Sequence, residues 1–274
     1  MTYVNDGRKL IQHAYDRGYT LPAFNICSVE MLRACLEAAD ELDAPVIVQT
    51  YPADIEQVPP KHMAAIVKSF AEDVRVPVLL HLDHGPSFEM AMQCLRAGYG
   101  SIMIDGAEQP LAEVVKLAQK ISEIAHAQGA SVEVAAESFN AGMSEYSTPE
   151  DCLQLKTEGK ADMIAVSIGS EHGQSSVLKL ELLADIASTV QGPLVVHGGS
   201  GISASDYAQA RQHGVVKANI GAALYRTLRT TWESSSNYSS HRDVYAAARA
   251  ALKEVAKDKL QIMGAAGQAP SYTY

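Results

Sequence analysis

Val78-Leu79-Leu80-His81-Leu82-Asp83-His84-Gly85 is an apolar run of strand length that ends in histidine, aspartate, histidine and glycine. It follows Val76-Pro77 and reads as a parallel strand buried on both faces, with its polar residues gathered at the carboxyl end. Seven other runs have the same form: Leu21–Ile26, Val46–Thr50, Ser101–Asp105, Ser131–Ala135, Met163–Ser167, Leu194–His197 and Val216–Ile220. Segments of helical spacing separate them. In Met31–Leu42 the apolar residues Leu32, Cys35, Leu36 and Ala39 recur three and four apart, and Phe88–Arg96, Leu111–Gln128 and Leu180–Thr189 show similar periodicity. Ala44-Pro45, Val76-Pro77 and Gly192-Pro193 punctuate the entries into strands, as turns from helix to strand do. Eight such strands alternating with helices predict an α/β chain folded as a closed (β/α)8 TIM barrel.

An open doubly wound sheet is the competing architecture. It calls for Gly-x-Gly-x-x-Gly after the first strand, where Asn25-Ile26-Cys27-Ser28 stands instead. The length of 274 residues suits one barrel, so residues 1–274 are expected to form a single domain. After the eighth strand, Tyr225–Ala256 has helical character interrupted by the polar stretch Glu233–Arg242.

With 47% hydrophobic and 20% charged residues the chain can bury a sizeable core, which excludes a disordered protein. A formal net charge of −10 argues against non-specific binding to nucleic acid or to an anionic membrane, so any phosphate must be gripped locally. Cys27, Cys35, Cys94 and Cys152 lack paired spacing and are expected to be buried apolar residues. No apolar segment at the N-terminus resembles a signal peptide, and no run is long enough for a membrane span. The cytoplasm is the expected compartment.

In such barrels the chemistry sits at the carboxyl ends of the strands. Three of those ends carry histidine followed by glycine: His84-Gly85, His172-Gly173 and His197-Gly198. Three neutral imidazoles with an open fourth position make a catalytic zinc site. His13, His62, His126, His213 and His241 have no such placement and are expected to be ordinary hydrogen-bonding residues. In a regular strand His81 and Asp83 share one face while Leu82 and His84 share the other, which makes His81 a supporting or core residue. Asp83 beside His84 suits a general acid/base, a metal ligand or an orienter of the imidazole, and spacing does not choose among them. Gly198-Gly199-Ser200-Gly201 follows the seventh strand, where barrels often build a backbone cradle for phosphate.

Taken together these residues resemble the class II fructose-bisphosphate and tagatose-bisphosphate aldolases. The resemblance rests on Pro22-Ala23-Phe24-Asn25, Ala44-Pro45-Val46-Ile47-Val48, His81-Leu82-Asp83-His84-Gly85 and Ser101-Ile102-Met103-Ile104-Asp105-Gly106. It continues through Gly-x-x-His-Gly at Gly169–Gly173, His197-Gly198-Gly199-Ser200-Gly201, and a closing helix at Ala246–Gly264. It implies that His84, His172 and His197 bind one catalytic zinc ion, and that Asp83 moves the proton on the hydroxyl at the scissile bond. The metal would grip a dihydroxyacetone-type donor and stabilise the enediolate left when a ketose phosphate is cleaved. Asn25 and Asn219 would hydrogen-bond substrate oxygens, while Gly173, Gly199 and Ser200 would face the donor phosphate. Asp105 and Glu133 match acidic positions near the metal that hold it in alternate positions. The resemblance also implies a monovalent cation near the phosphate and a homodimer or homotetramer.

Some positions depart from the family pattern. Glu133-Val134-Ala135-Ala136-Glu137-Ser138 replaces the usual Glu-Ala-Glu-Leu-Gly, and the loop up to Thr148 is short, so Glu137 and Glu145 are the candidates for the carbon base. Gln174-Ser175-Ser176 lacks the usual lysine and tyrosine, Gly221-Ala222 replaces a polar pair, and Tyr51 stands where a small hydroxyl residue is common. These changes weaken the phosphate end more than the metal end and imply an unusual sugar. A metal-dependent barrel hydrolase is the first alternative, but its His-x-His is absent from the first strand, which ends Phe24-Asn25-Ile26. A silent sugar-phosphate-binding barrel is the second.

Overall fold

The computed structural model describes residues 2–106, 109–136, 146–170 and 177–273. Its strands are β1 (Tyr3–Val4), β2 (Leu21–Asn25), β3 (Val46–Thr50), β4 (Val78–Gly85), β5 (Ser101–Ile104), β6 (Ser131–Ala136), β7 (Met163–Val166), β8 (Leu194–Val196) and β9 (Val215–Ile220). All pair in parallel, and β2 to β9 close into a barrel through the β2–β9 and β4–β5 pairings. These eight are the strands expected from the sequence. β1 lies outside the ring, paired to the start of β4 through Tyr3 and Val78.

The helices are α1 (Gly7–Arg17), α2 (Val29–Glu41), α3 (Pro52–Gln57), α4 (Pro60–Ala71), α5 (Phe88–Ala97) and α6 (Leu111–His126), then α7 (Pro149–Thr157), α8 (Leu180–Val190), α9 (Ala204–Gln212), α10 (Ala222–Glu233) and α11 (His241–Ile262). Hydroxyl caps start several of them where the chain leaves the rim. Ser28 accepts from Met31 N at the head of α2, Ser87 from Met90 N at α5, and Ser203 from Asp206 N at α9. The polar interruption expected after Tyr225–Ala256 began is the gap between α10 and α11, and α11 packs along α2 and α10.

Inside the barrel, register alone builds a polar layer. Gln49 pairs with His81, His81 with Ser101, and Ser101 with Ser131, so aligned residues on β3 to β6 point to the same side. All four are buried, as are Glu133 on β6 and Lys217 on β9. Aliphatic residues fill the space between strands and helices.

Two expectations need correcting. Cys35, Cys94 and Cys152 are buried, but Cys27 is exposed, because it sits on the rim loop between the end of β2 and the cap of α2. The strand β4 is also irregular at its carboxyl end, with its register to β5 shifting between Leu82 and Gly85. There His84 takes φ 52°, a left-handed conformation that side chains other than glycine rarely adopt. The bulge turns His84 away from the outward side that regular alternation assigns it.

Candidate active site

Reoriented by the bulge, His84 joins Asp83 and His197 at the carboxyl rim, where one ligand atom from each lies within 4.8 Å of the others. The imidazole rings of His84 and His197 are 4.8 Å apart. Each histidine is held from behind by a carboxylate. His84 Nδ1 donates to Asp105 Oδ2 at 2.9 Å, which places its lone pair on Nε2, 3.9 Å from Asp83 Oδ1. His197 Nε2 donates to Glu133 Oε1 at 3.1 Å, which places that ring's lone pair on Nδ1. Carboxylates commonly fix the tautomer and orientation of metal-binding imidazoles in this way. The two oriented imidazole nitrogens fit a borderline-soft divalent cation such as zinc, and the Asp83 carboxylate lies beside them.

Asp83 is 4% exposed and is gripped on both oxygens. Asn25 Nδ2 donates to Oδ2 at 2.7 Å and Asn219 Nδ2 to Oδ1 at 2.8 Å. The amides cannot be reversed, because a carboxylate accepts and Lys217 Nζ, which only donates, holds Asn219 Oδ1 at 2.5 Å. Gln49 Nε2 holds Asn25 Oδ1 at 3.0 Å in the same manner. Each asparagine therefore keeps a second amide hydrogen beyond the one spent on Asp83.

Lys217 ties the two halves of the site together. Its Nζ is 3.0 Å from Glu133 Oε2, and both side chains are fully buried. Burial opposes ionisation of Glu133, but the Lys217 ammonium and the His197 hydrogen bond outweigh it and hold the carboxyl well below the usual carboxylate range. His81 is kept neutral, first by burial and then by Lys217. Its Nδ1 bonds Ser101 Oγ at 2.7 Å, and its Nε2 stands 3.6 Å from Glu133 Oε2, too far for a hydrogen bond. His81 is thus a support beneath the rim.

These groups floor a cavity of about 630 Å³ lined by Asn25, Asp83, His84, Ser200 and Asn219 among others, a volume that suits a small metabolite. Gly198 and Ser200 face it, while Gly199 backs onto Tyr207, whose hydroxyl donates to Gly199 O at 2.7 Å.

A family model described as fructose-bisphosphate aldolase class-II matches residues 5–268. The chain belongs to this family. A fructose-bisphosphate aldolase of Staphylococcus epidermidis is 30% identical over 286 residues, which span 96% of this chain and 98% of its own. One from Staphylococcus aureus matches at the same identity and coverage. Among solved structures, the YdjI aldolase of Escherichia coli K12 superposes with a TM-score of 0.88 at 26% identity, covering 96% of this chain and 98% of that one. A fructose-bisphosphate aldolase of Campylobacter jejuni shares the fold at 21% identity, with a TM-score of 0.81 over 97% of this chain and 96% of its own.

This aldolase is therefore a carbon–carbon lyase of the class II type. Of the candidate site residues, Glu137, Glu145, His172 and Gly173 lie outside the described residues, as do Ser138 and Gln174-Ser175-Ser176. The structure brings together Asn25, Asp83, His84, Asp105, Glu133, His197, Ser200 and Asn219. Sequence reading passed over Lys217 and Gln49. Each is a long polar residue inside an otherwise apolar strand, in step with a site residue two positions on or at the strand's end, and that was the available signal. No helix among the described residues is long and apolar enough to cross a membrane.

Proposed function

We propose that the aldolase is zinc-dependent and reversibly cleaves a ketose phosphate into dihydroxyacetone phosphate, or a close analogue, and an aldehyde. The observation that carries this reading is Asp83, a carboxylate at the cavity floor with both oxygens fixed by Asn25 and Asn219, beside the paired imidazoles of His84 and His197. His84, His172 and His197 would hold the ion, with Asp105 and Glu133 behind two of them. When bound, zinc supplies Lewis acidity toward a substrate oxygen.

The remaining work falls to the chain's own side chains. Asp83 takes the proton from the substrate hydroxyl as the carbon–carbon bond breaks and returns it on condensation. Asn25 and Asn219 hold that carboxylate in one orientation, and their second amide hydrogens are directed to substrate oxygens. The donor phosphate sits against the loops after β8 and β9, where Ser200 and the first amides of α10 form an anion-seeking surface. Glu137 or Glu145 serves as the base at the donor carbon. A homodimer or homotetramer in the cytoplasm fits this reading.

Replacing Asp83 with alanine tests it. Zinc content is expected to stay at that of the wild type while aldol cleavage falls by about 10²–10⁴-fold. An unchanged rate refutes the role of Asp83. Zinc binding without cleavage of any ketose phosphate by the wild type favours a silent sugar-phosphate-binding barrel instead.

A further inference from the structure

The cavity has two chemically different ends. One lies against Gly198, Ser200, Gly221 and Ala222 at the amino end of α10, the positive end of its dipole, where Ser200 Oγ accepts from Ala223 N at 3.2 Å. The other is formed by Tyr51, Ala53 and Asp54 beyond β3, and Tyr225 of α10, which borders Gly221, also lines the cavity. The first end attracts an anion. The second repels one.

No lysine or arginine occurs among the described residues that line this cavity, whereas two carboxylates do, Asp54 and Asp83. Asp54 Oδ2 accepts from Tyr51 N at 3.0 Å in the first turn of α3. Among the described residues its Oδ1 has no hydrogen-bond partner. Burial raises the Asp54 pKa against the opposing pull of the Tyr51 amide, and the nearby charge of Asp83 adds to the rise. A phosphate dianion placed there would meet both, with no described cation to offset them. Hydroxyl groups would instead donate to Oδ1. Tyr51 and Tyr225, 45% and 39% exposed, offer ring faces on which the C–H face of a sugar chain can lie.

Asp83 sits between the two ends, and the proposed donor phosphate occupies the loops after β8 and β9. The aldehyde half of the substrate must then extend from Asp83 toward Tyr51 and Asp54. We infer that Asp54 is a specificity-determining residue that accepts hydrogen bonds from hydroxyls of the aldehyde half. The enzyme accordingly takes ketose 1-phosphates with an uncharged, polyhydroxylated tail and discriminates against ketose bisphosphates. This assignment rests on the proposed aldolase reading of the site.

The test compares two acceptors in the condensation direction, D-glyceraldehyde and D-glyceraldehyde 3-phosphate, with dihydroxyacetone phosphate saturating and the enzyme loaded with zinc. Asp54→Asn keeps an oxygen for Tyr51 N and removes only the charge, so the fold of α3 is preserved. Wild type is expected to favour the neutral acceptor by roughly 10-fold or more in kcat/KM. In Asp54→Asn the neutral acceptor should lose roughly 10-fold, as expected for a hydrogen bond to a charged group, while the phosphorylated acceptor gains. Deuterium exchange into dihydroxyacetone phosphate alone needs no acceptor and reports on the aldolase reading separately. Exchange with an acceptor ratio that Asp54→Asn leaves unchanged, or with a wild-type preference for the phosphorylated acceptor, overturns the assignment of Asp54 and leaves the aldolase reading intact. Absence of both exchange and condensation overturns the two together.

Discussion

Replacing Lys217 with methionine leaves a side chain of similar length but strips the ammonium from Glu133 Oε2, 3.0 Å away, in a place where both groups are fully buried. Removing one partner of a buried ion pair leaves an uncompensated charge and costs about 3–5 kcal/mol. Two neighbours soften that cost. His197 is already bonded to Glu133 at 3.1 Å, and His81 Nε2 at 3.6 Å can approach it, so we expect the lower end, about 3 kcal/mol. For a chain of this size that is roughly 6–12 °C in Tm. Glu133→Gln alone strands the Lys217 ammonium instead and should cost a similar amount. The double variant removes both charges, so its loss should fall short of the summed single losses by about 2–3 kcal/mol. Urea unfolding followed by far-ultraviolet circular dichroism and by the emission of the lone Trp232 gives all four stabilities on the metal-free protein. Strictly additive losses, or a Lys217→Met protein within about 0.5 kcal/mol of wild type, would show that the pair is not the keystone of the buried network.

Two further substitutions probe the rim. Asp105→Asn keeps an acceptor near His84 Nδ1, 2.9 Å away, but removes its charge, so zinc affinity measured against a competing chelator should fall by about 10–100-fold; an unchanged Kd would show that Asp105 does not tune His84. Gly85→Ala would place a methyl group 2.5 Å from the backbone oxygen of Met103 and 2.7 Å from Leu82 Cδ2. Because backbone cannot yield cheaply, this change should cost about 1–3 kcal/mol and impair zinc binding by shifting His84, and a variant with wild-type stability and zinc content would refute the tight bulge.

The barrel strands were legible because a parallel sheet covered on both faces demands uninterrupted apolar runs, and prolines and glycines mark their beginnings. Elements with weaker demands left weaker traces. β1 is two residues long, and α9 buries only Tyr207 and Ala210, too few to impose a helical period. Within the site, His84 and Asp83 stood out because histidine and aspartate at a strand's carboxyl end in a barrel have few structural uses. How His84 reaches the cavity was not legible. A two-residue alternation assumes a regular strand, and the bulge at Leu82–Gly85 is a tertiary event set by the pairing of β4 with β5. Lys217 was missed for a related reason: a lysine is ordinarily a surface residue, and only the closed ring shows that its strand neighbour Asn219 and the distant Glu133 leave it nowhere to go but inward.

Glu133 and Asp83 are held in opposite ways, and the contrast suits them to different work. Glu133 is enclosed by a lysine, a hydrogen-bonded histidine and a second histidine, all fully or nearly fully buried. A proton delivered there would have to displace an ion pair in the interior, so Glu133 is suited to a fixed charge that orients His197. Asp83 is instead held by two neutral amides and lines the cavity that receives substrate. Amide donors fix its direction without placing a cation against it. In the proposed mechanism the proton therefore falls to the carboxylate whose partners are neutral and which lines the cavity. Lys217 serves both through one ammonium, clamping Glu133 with one contact and, by holding Asn219 Oδ1, compelling the amide nitrogen of Asn219 toward Asp83 with another. Loss of Lys217 should therefore reach the chemistry twice, through the imidazole of His197 and through the carboxylate of Asp83, although its side chain touches neither.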